Sequence, residues 1–156
     1  MRITAKVDYA VRAAVELADG YLQHRERVPV KADAIAAAQD IPPRFLETIL
    51  SELRRSGIVG SKRGADGGYW LARPPTEVSV ADIIRAVEGP LADVHGQSPE
   101  EVLYAGVARA LQPVWVATRV ALRGVLEETT LADIASGALP ERVVTLAAQP
   151  GGWTRR

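Results

Sequence analysis

Pro43-Arg44-Phe45-Leu46-Glu47-Thr48-Ile49-Leu50-Ser51-Glu52-Leu53-Arg54-Arg55-Ser56-Gly57 carries the clearest periodicity in this chain of 156 residues. Leu46, Ile49, Leu50 and Leu53 fall at i, i+3, i+4 and i+7, which makes one narrow apolar stripe on a helix over 44–56. At about 100° per residue, Arg44, Thr48, Ser51 and Arg55 point the opposite way, and all four can donate hydrogen bonds. Pro43 suits a first helical turn and Gly57 a C-terminal stop. A helix anchored this way holds its polar face rigidly.

Upstream, an alanine-rich helix over 32–39 is separated from it by the tight turn Asp40-Ile41-Pro42. Before that, Thr4 caps a first helix with Val7, Ala10, Val11, Ala14, Leu17 and Ala18 on one side, and Gly20 is its expected end. Val28-Pro29-Val30 reads as an edge strand. Downstream, 58–62 and 69–72 read as two strands joined by Arg63-Gly64-Ala65-Asp66-Gly67-Gly68, a glycine-rich hairpin loop. Ser79 with Asp82 forms a capping box for a helix through Ile83, Ile84 and Val87 that stops at Gly89-Pro90.

The second half has a different rhythm. After a loop over 91–97, Ser98-Pro99-Glu100-Glu101 reads as a helix start. Leu103, Val107, Leu111, Trp115, Thr118, Leu122 and Val125 then follow at near-heptad spacing, with Pro113 as a kink or split. The first 90 residues already close a small core, so this helix needs a partner. Leu111, Trp115, Thr118, Leu122 and Val125 are therefore the expected contact between two copies. Thr130 and Asp133 start a last short helix ended by Gly137, and the tail around Pro150-Gly151-Gly152 reads as loosely held. The expected division is 1–90, 91–137 with the dimerisation helices, and a tail over 138–156.

Composition narrows the functions. Apolar residues make up 47% and charged residues 24%, as in a globular protein. No apolar run is long enough to cross a membrane, and the start lacks a signal-peptide layout, so a cytoplasmic protein without a membrane partner is expected. There is no cysteine, which excludes disulfides, cysteine nucleophiles and thiolate metal sites. The zero net charge hides a split: residues 1–76 carry 12 basic and 9 acidic side chains (+3), and 77–156 carry 7 and 10 (−3). His24 and His95 stand apart without helical partners and read as solvent-facing. No nucleophile elbow, H-E-x-x-H helix or nucleotide-binding glycine loop occurs, so an enzyme is not expected.

Two helices joined by a three-residue turn, followed by a hairpin with a basic tip, are the parts of a winged helix-turn-helix in order. The expected fold is mainly α with a small β-hairpin wing and a long C-terminal dimerisation helix. The expected partner is double-stranded DNA. Arg44 and Thr48 would meet base edges, Ser51 lies on the same face, and Arg55 would meet a phosphate. Lys62 and Arg63 flank Gly64, Gly67 and Gly68, which let the wing backbone approach a phosphate or minor groove. Lys6, with Arg2, sits where the first helix could also take a phosphate.

The chain resembles the IscR/NsrR/CymR-type family of bacterial winged-helix regulators. The resemblance rests on Met1-Arg2-Ile3-Thr4-Ala5-Lys6 with Tyr9-Ala10-Val11, on Leu46-Glu47 with Leu53-Arg54 and Gly57, and on Arg63-Gly64 with Gly67-Gly68-Tyr69. It continues through Ala86-Val87-Glu88-Gly89 and Thr130-Leu131-Ala132-Asp133. It implies a homodimer held by the helix around Trp115 that represses, or sometimes activates, genes from an operator. Relatives that sense iron, nitric oxide or redox state hold an iron–sulfur cluster on three cysteines in the region matching 91–111. This chain has none, so no cofactor is expected, and Asp8, where some relatives place an acidic ligand, has an ordinary polar role. A small-molecule effector or a partner protein would then supply the signal. The alternative reading is a winged helix turned protein-interaction module, or a regulator that needs a partner protein to bind DNA well.

Overall fold

The computed structural model describes residues 2–154. Thr4 opens the first helix as its sequence implies: its Oγ1 accepts from the Val7 amide at 3.2 Å, and α1 spans Ala5–His24. Val7, Ala10, Ala14, Leu17 and Ala18 are buried, and Val11 is half-buried. The helix runs through Gly20 and stops at Arg25, which is left-handed at φ 53°. A helical glycine costs only about 1 kcal/mol, less than the hydrogen bonds that continuation gains.

Next come α2 (Ala32–Gln39) and α3 (Pro43–Arg55). Between them Asp40 is left-handed, and the Ile41 amide bonds back to the Ala36 carbonyl at 3.0 Å while its side chain enters the core. β1 (Val59–Lys62) and β2 (Gly68–Leu71) pair antiparallel, with Val59 opposite Leu71 and Lys62 opposite Gly68. The strand expected at 28–30 reduces to one bridge, in which Val30 and Tyr69 exchange both N–H···O bonds at 2.8 Å. Pro29 has no amide with which to extend it. α4 (Val80–Glu88) starts at the reciprocal Ser79–Asp82 capping box.

α1 is the hub. It packs on α2, α3 and α4 and, from much later in the chain, on α6 (Leu131–Ser136). The Thr130–Asp133 capping box and left-handed Gly137 bound α6 as read from the sequence. Its entry is tied to the first unit by Leu131 N–H to Val78 O and Val80 N–H to Thr129 O, both at 2.9 Å. Leu131 is fully buried among α1 and its neighbours, so α6, grouped by the sequence with the dimerisation helices, closes the core of the first unit.

Between α4 and α6 the structure corrects the sequence reading. No helix starts at Ser98. Residues 99–101 form a turn, 102–105 have no regular structure, and a 3-10 turn at Gly106–Ala110 leads into α5 (Leu111–Leu126). Gly106 at φ 59° breaks the run, and Pro113 sits in the first turn of α5, where its missing amide costs nothing, so it kinks no helix. Leu103 and Val107 therefore leave the seam and are exposed. Beyond α6 the tail contains a further helix, α7 (Glu141–Ala147), which the sequence reading missed. The Arg142 guanidinium of α7 lies over Gly124 of α5, where a Cβ would come within 2.8 Å of it.

Candidate nucleic-acid interface

α3 is aimed by what lies beneath it. Leu46, Ile49, Leu50 and Leu53 are at most 1% exposed, so the helix cannot roll without opening close-packed core. Lys6 fixes it from the side. Its Nζ lies 2.8 Å from the Glu52 carboxylate of α3 and donates to the Val87 carbonyl at the end of α4 at 2.7 Å. The sequence reading gave Lys6 a phosphate; here its ammonium ties α1, α3 and α4 together. At the same junction Thr4 Oγ1 donates to Glu88.

The opposite face of α3 is open. Arg44, Thr48, Ser51 and Arg55 are all exposed, and among the described residues neither arginine has a carboxylate partner. The Thr48 hydroxyl donates to the Arg44 carbonyl at 3.3 Å, which leaves its lone pairs outward. At the C-terminal end the Ile58 amide bonds to Leu53 O across Gly57 at φ 74°, and this turns the chain into the wing.

The wing is braced on two sides. Val30 pairs with Tyr69 along one edge, and Lys31 Nζ donates to the Gly64 and Ala65 carbonyls at 2.9 and 2.6 Å. Glycine is required at the crossing points: a Cβ on Gly67 would lie 2.2 Å from Lys62 O, and one on Gly68 would lie 2.6 Å from Val30 O. Lys62 and Arg63 are exposed at the tip. Between wing and helix runs a cleft of about 350 Å³ lined by Glu47, Ser51, Arg54, Ser61, Lys62, Arg63 and Tyr69. The structure thus brings Ser51 of α3 together with Lys62 and Arg63 of the wing. Arg2 is exposed ahead of the α1 cap. The sequence reading missed Lys31 and Arg54. Arg54 reaches Ser61 Oγ at 3.4 Å, and its signal was a cation one residue from the polar stripe. Lys31 had no signal, because its bonds are to backbone 33 and 34 residues away.

Residues 3–137 match the model of a family, Rrf2, described as an iron-dependent transcriptional regulator. The chain belongs to the Rrf2 family. It is 52% identical over 147 residues to Rv1287 of Mycobacterium tuberculosis, named as an HTH-type transcriptional regulator, covering 94% of this chain and 89% of that protein. It is 31% identical to the HTH-type transcriptional regulator IscR of Serratia proteamaculans, over 100% of this chain and 90% of that one. The solved structure of CymR, the global cysteine regulator of B. subtilis, superposes with a TM-score of 0.73 at 35% identity, covering 88% of this chain and 98% of that one. This Rrf2 protein is accordingly a winged helix-turn-helix transcriptional regulator that binds DNA, and not an enzyme. Iron is another matter. Between Leu91 and Leu111 the donors are Asp93, His95, Glu100, Glu101 and Tyr104, with no thiolate. Glu100 is already paired with Arg119, and among the described residues no group of three His, Cys, Asp or Glu converges. These residues do not fit an iron or iron–sulfur centre. His24 and His95 are exposed. No helix among the described residues is long and apolar enough to cross a membrane.

Proposed function

We propose that this Rrf2 protein is a cytoplasmic repressor that binds an inverted-repeat operator as a homodimer and works without an iron–sulfur cluster. The observation that carries the reading is the unbroken donor face of α3, exposed beside a braced basic wing and backed by a buried apolar stripe. Arg44 and Thr48 read base edges, with Ser51 beside them; Arg55, Lys62, Arg63 and Arg2 meet phosphates, and Gly64, Gly67 and Gly68 let the wing backbone approach. Lys6, held by Glu52 and Val87, aims the helix.

The dimer reading is supported by α5, none of whose residues is fully buried. The expected seam was Leu111, Trp115, Thr118, Leu122 and Val125. Leu111, Leu122 and Val125 are half-covered by this protomer, and Trp115 is 37% exposed with its indole N–H on Tyr104. The freer face is rotated by about 50°, onto Val114, Thr118, Ala121 and Val125, whose spacing of 4, 3 and 4 is that of a coiled-coil seam. Thr118, Ala121, Leu122, Val125 and Leu126 line an apolar groove of about 490 Å³ between Ile3 and α7, so members of the freer face and Leu122 of the expected seam meet in it. The second copy of α5 occupies it.

The test titrates wild type, Arg44→Ala and Lys62→Ala against selected and scrambled duplexes at several salt concentrations. Arg44→Ala loses about 1–3 kcal/mol on the selected site only. Lys62→Ala weakens both duplexes and lowers the salt slope by about one unit. Equal loss by Arg44→Ala on both duplexes would overturn the base-reading role. Protein purified without oxygen is colourless, and stoichiometric iron in it would overturn the cluster-free part.

A further inference from the structure

Phe45 is the second residue after Pro43 in α3, beside Arg44, and it is 56% exposed. It belongs neither to the core stripe nor to the donor face. A single exposed aromatic is ordinary on a protein surface. This one is held. Its ring stands edge-on to Tyr9 of α1, with centroids 6.1 Å apart and planes at 63°. The Arg12 guanidinium lies 5.5 Å from the Tyr9 ring centroid and is itself paired with Asp8. The chain Asp8, Arg12, Tyr9, Phe45 thus fixes the ring from α1, while its outer side stays bare.

The bare side faces an open, mostly apolar hollow of about 450 Å³ lined by Lys6, Arg44, Phe45, Thr48 and Ile49. On a helix Phe45 lies about 100° from Arg44 and about 60° from Thr48. The two groups assigned to base edges therefore share this hollow with a fixed apolar surface. A major groove offers one apolar group for such a surface, the thymine C5-methyl. Sugar and phosphate edges offer Phe45 no sequence to read.

Resting on the reading of α3 given above, we propose that Phe45 is a specificity-determining residue that packs on a thymine methyl group next to the base pair met by Arg44, so that each operator half-site carries a required thymine there. The Phe45 ring and the Thr48 methyl, both exposed, exclude water from the thymine methyl, with buried Ile49 only beneath them. Cytosine at the same position would set a polar amino group against the ring.

The experiment uses the full chain and duplexes carrying the selected half-sites. Each thymine is replaced in turn by deoxyuridine, which removes only the methyl. Wild type weakens about fourfold at one thymine per half-site, the worth of one buried methyl group. Phe45→Ala binds the thymine and deoxyuridine duplexes at that position equally, whereas Phe45→Leu keeps part of the difference. Both variants retain the wild-type melting temperature, because the ring lies outside the core. The proposal is overturned if wild type is indifferent to deoxyuridine at every position, or if Phe45→Ala keeps the fourfold difference. It is also overturned if Phe45→Ala weakens selected and scrambled duplexes alike, which marks a contact to the sugar–phosphate backbone. These failures are distinct from failure of the α3 reading, which shows as loss of the Arg44→Ala effect on selected sites with the thymine dependence intact. If selection recovers no preferred sequence, both fall.

Discussion

α3 and α5 are both amphipathic helices with an arginine in the last turn, yet the protomer treats them oppositely. α3 sinks Leu46, Ile49, Leu50 and Leu53 to 1% exposure or less, whereas α5, at 16 residues the longer, sinks none. An isolated helix of that length is marginal in water. What this protomer gives α5 is mostly polar. Gln112 donates to the Glu100 carbonyl, Arg119 pairs with the Glu100 carboxylate, and the Trp115 indole donates to Tyr104. Leu126 alone reaches the edge of the core from its end. One helix is a finished part whose free face carries hydrogen-bond donors, and the other buries no residue fully within the protomer.

The largest expected effect separates the two helices by stability. Leu50→Ala leaves a cavity under α3 and costs about 2–5 kcal/mol in denaturant unfolding. Ala121→Arg, on the open side of α5, changes unfolding of the protomer by no more than about 0.5 kcal/mol. It abolishes association instead, and the variant sediments as a monomer at concentrations where wild type is a dimer. Because two half-sites are then no longer read together, operator affinity falls with it. If Ala121→Arg unfolds the protein as Leu50→Ala does, the contrast between the helices is false. A monomeric wild type removes the dimer reading altogether.

The same contrast explains what the sequence made legible. From 4 to 89 almost every boundary followed from local chemistry: Thr4 and Ser79 as caps, Pro43 in a first turn, Gly57 and Gly89 as stops, and the apolar stripe of α3. Burial within one chain enforces such signals, so local pattern and tertiary outcome agree. Around α5 they part. Leu103 and Val107 matched a heptad, but Gly106 and Pro113 decided where helix was possible, and apolar spacing carries no information about backbone breaks. The seam proposed on the open side of α5 lies about 50° from the one expected, because a helix packed on its own protomer along one side and open along another looks equally apolar from the sequence on both. α7 begins after Pro140 in a stretch whose apolar residues Val144 and Leu146 remain exposed. A helix that buries little leaves little pattern. In the candidate interface, the exposure of the α3 donor face and of the wing cations followed from the sequence, while Lys31 and the internal ties of Lys6 depend on pairings across the fold.

The smallest expected effect concerns how the segment before α5 is held. Glu100 meets the Arg119 guanidinium, which is largely covered, while the carboxylate itself stays open to solvent. The hydrogen bond from Arg119 holds the Glu100 carboxyl below its ordinary value of 4.5. The folded form therefore refuses a proton that the unfolded chain accepts, so the pair contributes stability above the ordinary carboxylate value and loses it as pH falls through the lower folded value. Solvent at Glu100 screens the pair, so the effect is local and leaves global unfolding nearly unchanged. The indole N–H of Trp115 is the reporter, because its partner Tyr104 lies on the strap that Glu100 fastens. In wild type its nuclear magnetic resonance signal moves only on acidification below the ordinary carboxylate range. In Glu100→Gln it already sits near the acid position at pH 7 and no longer titrates. If the Trp115 signal of Glu100→Gln matches wild type at pH 7, the strap is held by Gln112 and the backbone alone, and α5 owes its place to fewer contacts than these three.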